Sequence, residues 1–492
     1  LDLILTKLLK VCMLKKFAKF ILGLAIFSLI GGCAVGSDYV KPTPQQVNLP
    51  TEWHAKSPHN GSDLQLIDWW GLFHESTLSY LIESALQTNP SIFQAIAKIK
   101  QAQANLQGSR SFLFPSVTGI GSAEVDKNTI VSTNTTGGTG DVFSNNGMTN
   151  GYSAGANMSW EIDLFGANRR AIEASEARYA ASQQNWNDAK VSLAAQVADV
   201  YVSIRQCQNL LLTYQEENKS RLATQNITEL RVNAGFSPRT DGNQASGSLY
   251  QNSSTLAQQR GVCEKYANQL VALSGVSHAQ LETKLSESFG YIPLPASVTI
   301  NALPAEIINQ RPDVAAAERN LAAANADLSV AIANRYPQVS LTGSISANGG
   351  SLYAGQPTSW SLGPSISLPF TDGGYLRAQE SLNAAKYEEA LATYRGKIIN
   401  AVQEVEDSLV RINAANQRVV AAEKAEQNYA AYFEGYNQKY NTGWANLLDL
   451  ETVRVTLIGS KEKLASAKLE QVEAWIALYK AVGGEWNKTV SQ

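Results

Sequence analysis

The 492-residue sequence predicts an internally duplicated α+β membrane protein, with very long coiled-coil helices and four transmembrane β-strands per chain. Three observations predict it. Two halves of the chain match at a nearly constant offset. In each half the spacing of apolar residues changes at an aromatic-proline pair. A leader at the N-terminus ends at a cysteine.

Duplication comes first because it orders the rest. Asn89-Pro90 pairs with Arg311-Pro312, and Phe114-Pro115 with Tyr336-Pro337, both 222 residues on. Gly166 and Arg169 then pair with Gly374 and Arg377 at an offset of 208. The same 208 relates Tyr179 to Tyr387, Asp199 to Asp407, Gly235 to Gly443, Asp241 to Asp449 and Gly275 to Gly483. An offset that persists over such a length implies duplication rather than chance similarity. The change of offset places 14 extra residues in the first copy, and the polar run 128–150 reads as the mobile loop that carries them.

In chain order, residues 1–32 read as a targeting segment. Met13 opens the basic run MLKKFAKF, an apolar run covers 20–30, and Gly31-Gly32-Cys33 follows. The apolar run is short for a bilayer span and has signal-peptide flanks, with translation expected to start at Met13. Ile30-Gly31-Gly32-Cys33 looks like a bacterial lipobox, so Cys33 is the expected lipidated mature N-terminus; the alternative is a signal with a chance cysteine. Ala34, not aspartate, follows it, which points to the outer membrane. Removing 1–32 takes away five lysines and one aspartate and moves the formal charge from -3 to -7. Charged residues make up only 17% of the chain, which suits long helices with weakly polar surfaces and disfavours nucleic-acid binding.

After an extended segment at 33–75, repeat 1 occupies 76–275. Its strands are expected at about 115–125 and 151–163, and its long helices at about 166–234 and 241–275. A linker covers 276–303. Repeat 2 occupies 304–483, with strands at about 337–347 and 359–370 and helices at about 374–441 and 445–482. A tail, 484–492, closes the chain. Each copy begins with a helix that proline ends, at Phe114-Pro115 or Tyr336-Pro337, before a strand starts.

The strands alternate clearly. Tyr152, Ala154, Ala156, Met158, Trp160 and Ile162 alternate with Ser153, Gly155, Asn157, Ser159, Glu161 and Asp163. In the second copy Trp360, Leu362, Pro364, Ile366, Leu368 and Phe370 alternate with Ser361, Gly363, Ser365 and Ser367. About ten alternating residues with aromatics near one end mark a transmembrane strand. A half-buried soluble hairpin would alternate too. The lipobox, together with Phe112, Phe114, Trp160, Phe165, Tyr336, Trp360 and Phe370 at strand ends as membrane-interface aromatics, favours the membrane. Four strands cannot close a barrel, the smallest of which needs about eight, and open edges are not tolerated in lipid. The chain must therefore associate, and three copies would give a 12-stranded barrel.

The helices carry coiled-coil spacing: Ile398, Val402, Val405, Leu409, Ile412 and Val419, echoed by Val197, Ile204 and Leu211. The first long run would extend about 100 Å, far beyond an ordinary domain. Cys207 and Cys263 lie 28 residues before and after Gly235. If the chain folds back there, they meet across antiparallel helices, and an oxidising periplasm would join them; otherwise they are two unrelated thiols.

These residues resemble the TolC-like outer-membrane efflux proteins, specifically the lipoprotein branch serving resistance-nodulation-division pumps. The resemblance rests on the start Cys33-Ala-Val-Gly-Ser-Asp-Tyr-Val-Lys-Pro42, with Ser37 where a proline is usual. It rests also on Trp69-Trp70-Gly-Leu-Phe73 with the run to Asn89, and on Arg311-Pro312-Asp313 with Ala317-Glu318 and Tyr336-Pro337. It implies a homotrimer whose β-barrel continues into a periplasmic α-barrel. It also implies docking onto a periplasmic adaptor (a membrane fusion protein) and an inner-membrane pump, and a passive exit duct for small molecules. Gly235 and Gly443 would form the periplasmic tips and touch the adaptor. The carboxylate at Asp449, with its twin Asp241, would belong to an acidic ring at a closed entrance, attracting cations. Either aspartate could instead be a solvated helix N-cap. Tyr440 would add a hydrogen bond that keeps this periplasmic gate shut.

No catalytic, metal or cofactor site is expected beyond the lipid on Cys33. There is no phosphate-binding glycine loop, and Gly137-Gly138-Thr-Gly140 is loop composition. His54, His59, His74 and His278 fall in irregular or linking segments. Two alternatives stay open: the exit duct of a type I protein-secretion system, and a structural periplasm-spanning lipoprotein without a pore.

Overall fold

The structure is a computed structural model that describes residues 34–47, 49–50, 53–55, 69–133, 142–295, 308–350 and 358–484, the side chains of 128–133 and 142–147 excepted. The leader, Cys33 with its expected lipid, and His59 lie outside these residues.

In chain order, α1 (Ser76–Thr88) and α2 (Pro90–Ser111) precede strands β1 (Ser116–Thr133) and β2 (Val142–Ile162). Helices α3 (Ala167–Asn233), α4 (Arg239–Ser274) and α5 (His278–Ser286) follow. The second copy is α6 (Pro312–Ala333), β3 (Gln338–Gly349), β4 (Thr358–Ser367), α7 (Tyr375–Asn441) and α8 (Leu447–Ala481). The break between α1 and α2 falls where proline pushes the preceding residue out of the helical region, and Asn89 has extended backbone, φ -71 and ψ 129. Its side chain then accepts the amide of Ser91 at 2.9 Å, replacing a lost helical partner. One departure lies in the linker, where 278–286 is helical. Ser277 and Gln280 form a reciprocal capping box that supplies the start signal.

The chain divides into two compact units. The first comprises Leu1–Lys41, Gln101–Tyr179 and Arg319–Leu391 and holds the sheet. Its four strands are antiparallel in the order β1-β2-β3-β4, so β1 and β4 are open edges. The loop expected over 128–150 is much shorter, because β1 and β2 stay paired until Thr133 meets Val142. Loop-like composition loses here because each strand satisfies the other's backbone groups.

Register sorts the side chains into two faces. Val117, Met158, Gly343 and Leu362 share a row, as do Trp160, Leu341 and Pro364, and Gly119, Ala156, Ile345 and Trp360. The opposite face has rows such as Thr118, Asn157, Ser344 and Ser361. Its hydroxyls pair across strands, Ser122 with Ser153 at 2.8 Å, Ser344 with Ser361 at 2.8 Å and Ser346 with Ser359 at 2.9 Å. Where the strands meet the helices, Phe165 stacks on Tyr336 at 4.9 Å. Residues 34–41 run as a strap over this unit's helices. Val35 donates to the Phe165 carbonyl at 3.0 Å, Arg170 pairs with Asp38 at 2.8 Å, and Asn325 donates to the Ser37 carbonyl at 3.0 Å.

The second unit comprises Pro42–Lys100, Ala180–Glu318 and Ala392–Gln492. Its core gathers Trp69, Trp70, Leu78, Leu81, Val197, Tyr201, Leu409, Trp475 and Tyr479. Trp70 sits 4.5 Å from Tyr479, centroid to centroid. Arg205 is fully buried, donating to Tyr201 Oη at 2.8 Å and to the Leu285 carbonyl at 2.7 Å. Glu75 accepts from the Tyr201 hydroxyl at 2.8 Å, so the charge is met inside the core. Arg311 of the Arg-Pro-Asp motif is also buried. It donates to the Ala481 carbonyl at 2.8 Å and pairs with Glu404 at 2.7 Å, tying the start of α6 to the end of α8. Cys207 of α3 and Cys263 of α4 are joined as a disulfide, Cα to Cα 5.6 Å.

Candidate functional site at the helix-hairpin tips

Both helix pairs turn at a glycine in the left-handed region, Gly235 at φ 77 and Gly443 at φ 84. A Cβ on either would touch nothing within 4 Å, so the requirement is conformational rather than one of space. The backbone closes alike at both. The amide of Gly235 reaches the Val232 carbonyl at 3.1 Å and that of Phe236 the Arg231 carbonyl at 2.8 Å. Gly443 reaches Tyr440 at 3.1 Å and Trp444 reaches Lys439 at 2.8 Å. This is the glycine-terminated helix end that satisfies orphan carbonyls. Phe236 and Trp444 project into solvent at the two tips.

Asp241 and Asp449 fall in the first turns of α4 and α8, where the positive end of the helix dipole favours a carboxylate. Neither is the N-cap. Pro238 holds that position on α4, and on α8 it is Asn446, whose side chain accepts the Asp449 amide at 2.8 Å. The Asp449 carboxylate is exposed and that of Asp241 half-buried. Tyr440 meets neither. It is buried, its hydroxyl is 2.7 Å from that of Thr228, and Arg231 donates to its carbonyl at 2.8 Å while lying 4.7 Å from its ring. Tyr440 thus clamps the second hairpin onto the first.

Above the clamp lies a network with no counterpart among the residues expected from sequence. Arg221 pairs with Glu451 at 2.5 Å and with Glu217 at 2.7 Å. Ser248 donates to Glu451 at 2.7 Å. Arg454, fully buried, reaches Ser220 at 2.9 Å, Thr224 at 2.8 Å and Glu451 at 3.3 Å. Burial pushes the Glu217 carboxyl up, and the Arg454 and Arg221 guanidinia pull it back. A signal existed: Arg221, Thr224, Thr228 and Arg231 recur at helical spacing where an apolar seam would be expected. Also on α7, Tyr432 lies edge-on to Tyr436 at 4.9 Å, and its phenol is pushed up by the hydrogen bond to Tyr436, then by desolvation and by the charge of Asp449.

Of the other expected residues, Phe114, Trp360 and Phe370 are exposed at strand ends, and Trp160 donates its indole N–H to the Leu113 carbonyl at 3.0 Å. The apolar rows of the sheet, with Val117, Ile345, Leu362 and Ile366, are exposed as well. His54 bonds Glu406 through its backbone amide at 2.7 Å, and His278 opens α5. Among the described residues no group of His, Cys, Asp and Glu could hold a metal ion, and no helix is long and apolar enough to cross a membrane.

Residues 81–276 and 303–484 match the family described as outer membrane efflux protein, one stretch in each half. The toluene efflux pump outer membrane protein TtgC of Pseudomonas putida is 29% identical over 490 residues, covering 96% of this chain and 97% of that protein. Nodulation protein T of Rhizobium leguminosarum bv. trifolii is 28% identical over 466 residues, covering 93% of this chain and 96% of that protein. The solved outer-membrane channel OprN superposes with a TM-score of 0.80 at 28% identity, covering 92% of this chain and all of that one.

Proposed function

The chain belongs to the outer membrane efflux protein family, and from that premise we propose that three copies assemble into the passive exit duct of a tripartite efflux pump. It is a TolC-like outer-membrane efflux channel that reaches into the periplasm. The observation that carries the assembly is the sheet: an apolar face that no described residue covers, and open edges at β1 and β4. In hydrocarbon each unpaired backbone group costs several kcal/mol, so the edges demand partners. Three sheets of four strands, β1 of one copy beside β4 of the next, close a 12-stranded barrel. The apolar rows then meet lipid and the hydroxyl rows line water.

The chain supplies a conduit, and a resistance-nodulation-division pump in the inner membrane supplies the energy. Gly235 and Gly443 form the tips on which the adaptor docks. Asp241 and Asp449 from three copies place six carboxylates around the entrance, a field that concentrates cations. The bond of Tyr440 to Thr228 and the Arg231 clamp hold the entrance shut. Cys33 carries the lipid anchor, and Val35 beside it is held at Phe165. Cargo is a small molecule, selected by the pump.

Purified protein is expected to run as a trimer that dissociates only on heating, and to conduct in planar bilayers. Asp449→Ala should weaken block by a multivalent cation roughly tenfold. A monomer without conductance refutes the duct, and unchanged block in a conducting Asp449→Ala trimer removes the acidic ring.

A further inference from the structure

The disulfide that joins α3 to α4 has unlike surroundings at its two ends. Cys207 is fully buried, whereas Cys263 is half-buried and lines a cavity of about 360 Å³ between α3, α4 and α5. Cys207 does not line that cavity. The buried side chains of Leu281 and Leu285 give it an apolar floor. Its rim is polar and of both signs. Arg260 and Glu264 lie one turn apart on α4 around Cys263, and His278 and Glu282 lie one turn apart on α5. All four are exposed, and none is held in an ion pair among the described residues.

Thiol–disulfide exchange depends on which sulfur a thiolate can reach and on how readily the other sulfur leaves. Here only Cys263 faces the cavity. The other sulfur already has a donor: Gln259 Nε2 donates to Cys207 Sγ at 3.1 Å and to the Cys207 carbonyl at 3.2 Å. A hydrogen bond to sulfur favours its charged form, so Cys207 is the better leaving group of the two. Once protonated, its S–H has the Gln259 carbonyl as acceptor, 3.6 Å away.

We propose that this cavity is a modification site, where a small zwitterionic thiol of the amino-acid or short-peptide class forms a reversible mixed disulfide with Cys263. The incoming thiolate attacks Cys263 Sγ and its electron pair makes the new S–S bond. The old bond breaks with its pair passing to Cys207 Sγ, which leaves as a thiolate beside the Gln259 N–H. Attack by that thiolate on Cys263 Sγ reverses the step and expels the small thiol, so no oxidant is consumed. The ammonium of the ligand meets Glu264 and Glu282, and its carboxylate meets Arg260 and His278. A cavity of this volume suits a molecule up to the size of a short peptide. While the adduct stands, α3 and α4 lose their covalent tie.

The folded full chain tests this with four thiols at equal thiolate concentration: reduced glutathione, neutral 2-mercaptoethanol, cysteamine and mercaptoacetate. Acid quenching, alkylation and peptide mass spectrometry read the products. Glutathione should open the disulfide about tenfold faster than 2-mercaptoethanol, each pair of exposed opposite charges contributing a few-fold. Its adduct should sit on Cys263, with Cys207 free. Arg260→Gln combined with Glu282→Gln should bring glutathione down to the rate of 2-mercaptoethanol and leave the latter unchanged. Cys207→Ser, incubated with glutathione disulfide, should hold the adduct on Cys263, because the sulfur that expels it is gone. An adduct on Cys207 overturns the site, as do equal rates for the neutral and zwitterionic thiols or a single-charge thiol that matches glutathione. A disulfide that opens only in urea, or only to a protein dithiol, overturns it too. The readout is a covalent adduct, so failure here leaves the duct standing.

Discussion

Arg454 has no solvent exposure, yet it carries a full charge and is met by Glu451, Glu217, Ser220 and Thr224. Burial alone lowers its proton affinity, and the two carboxylates oppose that. Truncating it strands Glu217 and Glu451 in the same pocket, so Arg454→Ala should cost about 3–5 kcal/mol. The midpoint of heat dissociation measures this, and a shift within error would show that the network contributes little. Asp199 makes the opposite case. Burial, followed by the nearby Glu473, pushes its carboxyl up to about 6, against the pull of Lys480 on α8 and Arg411 on α7. Because its folded value lies above its unfolded one, its contribution to stability is complete below about pH 4 and is lost as pH rises through about 6. Asp199→Asn should therefore stabilise the protein by about 1–3 kcal/mol at pH 7.5 and not at pH 4. Equal melting temperatures for the two proteins at pH 7.5 would sink the argument.

At the scale of elements, the coiled-coil spacing and the glycines placed the long helices within about two residues of their ends, since both signals are local. The symmetric placing of Cys207 and Cys263 about Gly235 was legible for the same reason. Antiparallel helices bring residues equidistant from a turn together, and the structure joins these two sulfurs, 56 residues apart in sequence. Replacing both cysteines with serine should lower stability by about 2–4 kcal/mol by freeing the unfolded chain. Reduced heat resistance of the double variant, beside an unchanged secondary-structure signal, is the expected measurement. The hairpin of β1 and β2 was less legible. Its outer part has the composition of a loop, and only pairing between the two strands makes it sheet.

For the whole molecule, the sheet's two faces assign its two solvents. Leu362 stands on the apolar face and Ser361 on the hydroxyl face, adjacent in sequence and opposite in environment. Leu362→Lys should cost about 2–4 kcal/mol in lipid and deplete heat-modifiable trimer from the outer membrane. Ser361→Lys should assemble normally and alter ion selectivity. Equal yields from the two would mean that the apolar face does not meet hydrocarbon.

Repetition and alternation are local chemical patterns, so the sequence by itself determined the duplication, the membrane strands, the long helices, the tips and the family they imply. Only the tertiary structure decided which polar residues of the tip region go inside. Arg221 and Glu451 lie 230 residues apart and become partners only when two hairpins pack. Whether a charge can be buried depends on the groups that surround it in space, and no spacing along one helix encodes those. The same packing buries Thr228 and leaves its twin, Tyr436, only half-buried.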